Sequence, residues 1–543
     1  MGARRGEELV VVERRGLSRR DFLAALGFVA GAVVVLDGCV VPTPALFPAP
    51  PSGAADPGPF PDGVKAGDPL PDGSVIWTRV TPPIDGSAAP LVWSVADDAG
   101  FTSIRAGGVV LAEPAHGHSV SVRVAGLDAD RWYFYRFESG DVAGRVGRLR
   151  TAPAPGSDPS GLRFAFCGDQ QINDSWFVAH RAISTEPGLD FVAHLGDYVY
   201  VNDVATLTVD DYRNEYRRWH RQPMLRDLHA ALPVSVTWSD GEFYNGVDKD
   251  GPPTRLANAK RAWFENFPLV DPGDQRIYRT FGWGGLADVS LLDDRSYRDP
   301  FIDATDLTQG PGLATYDPAR TTLGAAQFNW LTAQLATSTA AWRLVAEDYP
   351  IAPWRLVNLE FLRPFRPDAP PNAGLYIPTE DWDQYMPERR DLLGFITDHH
   401  IADNVFLAAQ THISLASDLR PNPDDAASPI AGFDFTAPSL TADPDVIRSY
   451  LSDLPTDVAE GVLGLGEQFV ISQNNPNMRY MNLADQGYCI VDVDPERIEV
   501  TYRFINTYDP DAEAYDGARF RIVRGAPRME QLPVGRQRGS FGA

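Results

Sequence analysis

The sequence predicts an α/β layered fold, with β-sheets flanked by helices, preceded by a small β-sandwich. Three observations predict it. From Leu162 onward, buried-strand runs such as "LRFAFCG" and "LDFVAHLGD" alternate with helical stretches. From Gly63 to about Pro153 the pattern is instead short alternating runs with turn residues between them. Asp169, Asp197, Asp240, Asp293 and His412 each follow the carboxyl end of a predicted strand, which is where open α/β sheets bind ligands.

A chain of 543 residues, 44% hydrophobic with 12 Trp, has ample core for two or more domains. Its 73 Asp and Glu against 48 Lys and Arg leave a charge of −25. That acidity repels phosphate backbones and argues against nucleic acid as a structural partner. It suits solubility, high salt or divalent cations.

The elements follow in chain order. In "SRRDFLAALGFVAGAVVVLDGC", Arg19-Arg20 precede an apolar run from Phe22 to Leu36 that is short for a membrane-spanning helix. Residues 1–39 resemble a twin-arginine (Tat) signal, which implies the Tat export machinery as a partner and a periplasmic, cell-surface or secreted location. "LDGC" resembles a lipobox, with Cys39 as the point of lipid attachment and Asp37 as the departure from that pattern. Residues 40–62 are Pro/Gly-rich and read as a flexible linker. Residues 63–153 hold runs such as "GSVIWTRV" and "RWYFYRFE"; "VAGLDADRWYFYRF" looks like the late strands of a fibronectin type III-like domain. This module offers no acid, base or metal cluster, so its expected role is structural. Residues 160–523 form the α/β domain, with helical stretches at 208–232 and 324–340. "DQGYCIVDVDPERIEVTYRFIN" reads as a hairpin closing the sheet, and residues 524–543 as a tail. Cys167 and Cys489 lie in apolar runs and are expected to be buried, inert thiols.

A lone Gly-Asp after a strand is commonly a helix N-cap. Four strand-end acids and a His make a site. Oxygen-rich ligands with one His suit hard cations. Two such ions about 3.5–4 Å apart can hold a phosphate ester and stabilise its leaving oxygen. The spacing Gly196-Asp197-Tyr198-Val199-Tyr200 puts Asp197 and Tyr200 on one side of a tight turn.

From about Gly63 to about Arg503 the chain resembles the PhoD family of alkaline phosphatases and phosphodiesterases, within the metallophosphoesterase superfamily. "GVKAGDPLPDGSVIWTRV", "LDFVAHLGDYVY", "LLDDRSYR", "AQTHISLASDL", "FDFTAPSLTA" and "QGYCIVDVDPERIEVTY" carry the likeness in order. The resemblance implies a phosphoric ester hydrolase of metallophosphoesterase fold, using a metal-activated hydroxide. Its cofactors are two or more metal ions, Fe(III) with calcium or another divalent cation. The implied metal ligands are Asp169, Asp197, Tyr200, Asp240, Gln410 and His412. The implied catalytic residues are Asp197 and Arg295, the latter either clamping phosphate or pairing with a carboxylate.

Three motifs depart from the family. Asp169 stands where the family has a Cys ligand, with Cys167 two residues earlier. W-D-D-H-E becomes Trp238-Ser239-Asp240-Gly241-Glu242, and Gly241 cannot carry a proton. General-acid assistance is worth roughly 10²–10⁴-fold, so esters with poor leaving groups should suffer most. G-D-V-H becomes Ala409-Gln410-Thr411-His412, which removes a charge from the second metal. Glu242 and Tyr244 are the nearby residues that could supply a proton instead. The alternative reading is a weakened or inactive PhoD-like scaffold acting as a metal- or ligand-binding surface protein. His194 is read as structural, His399-His400 as a helix end, and Asn245 as a turn residue.

Overall fold

The protein is described here by a computed structural model covering residues 58–534, except 174, 202–207, 270–272, 303–312, 366–370, 377–380 and 443–455. The expected export signal, Cys39 and most of the linker lie outside the described residues.

Two seven-stranded sheets form the centre. In the first, Val234–Val236, Phe191–His194 and Leu162–Cys167 run parallel. Gly487–Val493 then joins Leu162–Cys167 antiparallel, followed by Arg497–Phe504, Tyr515–Val523 and Glu530–Leu532. The second runs Arg279–Trp283, Ala287–Leu291, Trp342–Ala346, Asn404–Ala408, Gly432–Thr436, Ser414–Leu419 and Met478–Asn482. Its four strands from Ala287–Leu291 to Gly432–Thr436 are parallel.

The sheets stack through one apolar core. Phe164, Phe166 and Phe191 from the first meet Val289, Leu344, Leu407 and Phe435 from the second. Each outer face is covered by helices. Val178–Thr185 and Pro223–Ala231 lie on the first sheet through Val178, Ile183 and Leu228. Gly324–Thr337 and Met386–Asp398 lie on the second through Leu331, Leu335, Leu393 and Ile396. Strands buried on both faces explain the near-continuous apolar runs, such as Asn404–Ala408, in which all five residues are buried. The expected helical stretch 208–232 is two helices, Val209–His220 and Pro223–Ala231. Pro223 lacks the N–H a continuous helix needs and instead opens the second.

The N-terminal region packs a three-stranded sheet (Val64–Ala66, Ser74–Arg79, Ser119–Val124) on a larger one built around Ala89–Ala96 and Trp132–Ser139. In "WYFYRFES" every second residue, Tyr133, Tyr135 and Phe137, enters their common core. Two boundaries differ from expectation. Phe60 and Asp62, placed in the linker by composition, are buried, and Asp62 pairs with Arg79. The closing hairpin extends into the expected tail, where Glu530–Leu532 pairs with Arg519–Arg521 and Met529 enters the core. A short edge strand carries too little pattern to be read from sequence.

Candidate metal centre

Three strand ends from the two sheets meet at one place. Asp169 follows Leu162–Cys167, Asp197 follows Phe191–His194, and His412 follows Asn404–Ala408. The turns are held tightly to one another. Gln170 N–H donates to Asp197 O at 3.0 Å, and the N–H groups of Thr441 and Ala442 donate to Asp169 O. Asp169, Asp197, Gln410 and His412 all have positive φ, between 51° and 65°. Such conformations are uncommon for residues with a Cβ, and they cluster where surrounding structure over-determines them. Gly168 has no room for a side chain, since a Cβ there would lie 2.6 Å from Ala409 Cβ.

One donor atom each from Asp169, Asp197 and His412 lie within 4.8 Å of one another. His412 Nε2 is 3.7 Å from Asp169 Oδ1 and 3.2 Å from the Tyr200 hydroxyl. Asp169 Oδ2 accepts from the Gln410 N–H at 3.0 Å, while its buried Oδ1 has no hydrogen-bond partner. Burial pushes the Asp169 carboxyl up to about 8; the Gln410 N–H opposes that shift and Asp240 adds to it. Burial, then Asp240 and Asp169, hold the Asp197 carboxyl well above the usual range. Burial and these same acids raise the Tyr200 hydroxyl. Buried acids this close need a cation, and this set of hard oxygens with one imidazole is chemically fit to hold a metal ion. His412 and Tyr200 are only partly buried, so they form the open side of the centre.

The rest of the expected ligand set is arranged differently. Asp240 is buried, with Oδ2 accepting from the Gly246 N–H and lying 3.9 Å from Arg295 Nη1. Gln410 turns its amide oxygen to Ser239 Oγ at 2.7 Å. Of the two roles open to Arg295, the carboxylate pairing is the one observed. Its guanidinium is fully buried, with Nε on Asp348 Oδ2 and Nη2 3.0 Å from Ser239 Oγ. Asp293 is not turned to the centre; its Oδ1 accepts from Trp238 Nε1 and from the N–H groups of Arg295 and Ser296.

Residues 163–502 match the PhoD-like phosphatase family, and residues 47–153 match that family's N-terminal domain. The chain belongs to the PhoD-like phosphatase family. It is 31% identical over 481 residues to alkaline phosphatase D of Bacillus subtilis (strain 168), covering 82% of this chain and 77% of that protein. A solved structure of PhoD is similar at a TM-score of 0.76 and 28% identity, covering 89% of this chain and 93% of that one. A purple acid phosphatase from yellow lupin (Lupinus luteus) seeds shares the fold at a TM-score of 0.54 and 11% identity, over 86% of this chain and 75% of that one.

Against the PhoD-like motifs, two local features stand out. Gly241 is closely packed: an added Cβ would lie 2.5 Å from Asp197 Oδ1 and 2.6 Å from Val199 O. Its N–H donates to Asp197 Oδ1 at 2.8 Å. Glu242 is not a free proton donor. Its carboxylate accepts from Tyr198 N at 2.8 Å, Ser239 N at 2.9 Å and Asp197 N at 3.2 Å, clamping the Asp197 turn to the Ser239 turn. Burial pushes it up to about 8 despite those bonds. Tyr244 lies beneath the Arg255 guanidinium, 4.5 Å from its ring centroid, and close to Gly251. Cys167 and Cys489 are free and buried, and burial raises both thiols. His194 is buried against the Tyr198 ring. The residue that sequence reading missed is Asp348, the partner of Arg295. It follows Trp342–Ala346, so the same strand-end rule would have found it.

Proposed function

We propose that the chain is an exported, metal-dependent phosphoesterase of PhoD type that hydrolyses phosphate esters. The observation that carries this reading is the convergence of Asp169, Asp197, Tyr200 and His412 at three strand ends, with a buried Asp169 oxygen that lacks a partner. A bound ion would supply a strong nucleophile at neutral pH and offset charge on the phosphoryl oxygens. The chain's own residues do the rest. Asp169 and Asp197 hold the metal side, the Glu242 carboxylate fixes the Asp197 turn, and His412 with Tyr200 lines the approach. Arg295 orders Ser239 and Asp348 from below. Position 241 gives no proton to the leaving oxygen, so activated esters should be the better substrates.

Finer parts of the reading rest on resemblance. Tyr200 supports Fe(III), since a phenolate is a hard anionic donor, while calcium or another divalent ion beside it is implied by the resemblance alone. The paired arginines support Tat export, with the chain periplasmic, cell-surface or secreted and Cys39 lipid-attached. A three-stranded sheet on a larger one supports a fibronectin type III-like assignment for residues 63–153. The inactive-scaffold alternative is favoured by Gly241 and Gln410.

The test uses full-length protein purified without chelator. Metal content is measured beside hydrolysis of an activated aryl phosphomonoester and diester, in wild type and Asp197→Asn. Bound metal with turnover is expected. Asp197→Asn should lower turnover by at least about 10³-fold, as loss of a principal electrostatic stabiliser does. Metal-free, inactive protein would overturn the reading and leave the scaffold.

A further inference from the structure

The two sides of the centre differ: on one, Asp169 Oδ1 has no hydrogen-bond partner, while on the other the Arg295, Ser239 and Gln410 side chains are bonded to one another. On the second side, Ser239 and Gln410 occupy positions at which the family motifs carry acids, and the two side chains meet at 2.7 Å. Ser239 Oγ also accepts from Arg295 Nη2 at 3.0 Å. The chain Arg295–Ser239–Gln410 therefore spans this side as a hydrogen-bonded bridge. Gln410 has one side-chain acceptor, and that oxygen is the one in the bridge. Asp240 Oδ2 already accepts from the Gly246 N–H and faces the Arg295 cation at 3.9 Å. Asp197 Oδ1, an oxygen a second ion would draw on, accepts from the Gly241 N–H at 2.8 Å. That contact follows from Gly241, because a larger residue would press on the same oxygen.

These observations share one consequence. Two acids are replaced by neutral groups, a fixed guanidinium supplies a positive charge, and the Asp197 carboxylate has one oxygen tied to backbone. A second ion would meet fewer charges, fewer open oxygens and a buried cation. We infer that each chain binds a single metal ion, held by Asp169, Asp197, Tyr200 and His412, and that the Arg295–Ser239–Gln410 bridge fills the second metal position. The inference rests on the phosphoesterase reading and narrows it.

The test is metal stoichiometry on the full-length chain. Metal-free protein is titrated to saturation with Fe(III), Mn(II) and Ca(II), singly and in pairs, and metal per chain is read by elemental analysis after desalting. Wild type is expected to retain one equivalent. The double variant Ser239→Asp/Gln410→Asp, which rebuilds both acids, is expected to retain two. Ser239→Ala, which breaks the bridge without adding charge, keeps the wild-type count and serves as a conservative control should the double variant fold poorly. Two equivalents in wild type would overturn the inference while leaving the phosphoesterase reading intact. One equivalent in a folded double variant would overturn the role given to the bridge. Zero in wild type would remove the phosphoesterase reading itself, which is a different failure.

Discussion

The two halves of the centre use similar residues and reach opposite electrostatic ends. On the metal side, Asp169 and Asp197 are buried beside each other with no Lys or Arg among the described residues bonded to either, and an oxygen of Asp169 has no hydrogen-bond donor. On the bridge side, Asp240 and Asp348 share the Arg295 guanidinium, and Ser239 and Gln410 satisfy one another. Both halves sit at strand ends, and both are enclosed by the same turns. The difference is whether the countercharge is part of the chain or must come from outside. Burial alone therefore does not mark a metal ligand: Glu242 is buried too, but backbone N–H groups hold its carboxylate.

Three substitutions probe that contrast, in falling order of effect. Glu242→Gln keeps the size of the clamp but weakens its hold on three N–H groups. Metal affinity should drop about 10–100-fold, the usual cost of losing a group that orients ligands. Unchanged affinity by competition with a fluorescent chelator would show that the turns hold themselves. Gly241→His restores the family residue. Because its Cβ would press on Asp197 and Val199, we expect metal affinity about tenfold weaker rather than faster turnover. Faster hydrolysis of an unactivated ester would show that the turn has room after all.

The third reaches away from the centre. Lys65, from the N-terminal sandwich, is fully buried and bonds His220 Nε2 and Asn266 O beneath the Trp77, Tyr198 and Phe267 rings. Lys65→Met leaves those two acceptors without their donor. It should cost about 1–3 kcal/mol in denaturant unfolding while metal affinity moves less than about threefold. A large loss of affinity instead would place the sandwich within the working parts of the centre. Nearby, burial with Lys65 adding holds His194 down to about 3, and burial holds His180 at about 3. Both must take up protons on unfolding in acid. Stability should be complete above about pH 6.5 and fall as the pH drops towards about 3. In His194→Phe the slope against pH should be shallower by one proton.

The metal side was legible in the sequence because parallel buried strands leave long apolar runs, and "CGD" and "HLGDYVY" interrupt them at their ends. The strand-end rule gathered Asp169, Asp197 and His412, though it gathered Asp240 and Asp293 with them, and the family resemblance singled out Tyr200. The bridge side was not legible, for reasons of distance and chemistry. Ser239 and Gln410 are 171 positions apart, and nothing local announces that they touch. Glu242 looked like a spare acid because its partners are backbone N–H groups, which leave no trace in residue identity. Arg295 fitted two roles equally until burial beside Asp348 decided between them.

The strand that ends at Asp169 has a neighbour on each flank: Phe191–His194 on one, and Gly487–Val493 on the other, with Phe166 opposite Cys489. Translation makes the first flank early and the second some three hundred residues later. Until the last quarter of the chain has left the ribosome, Leu162–Cys167 is an apolar edge awaiting its partner, the kind of edge that invites association with other nascent chains. Long-range pairing of this sort also slows folding. A stop codon between His412 and Gly487 would thus remove this late neighbour of the strand that carries Asp169 while sparing every one of the ligands, and such truncated chains should accumulate in aggregates rather than as weak enzyme.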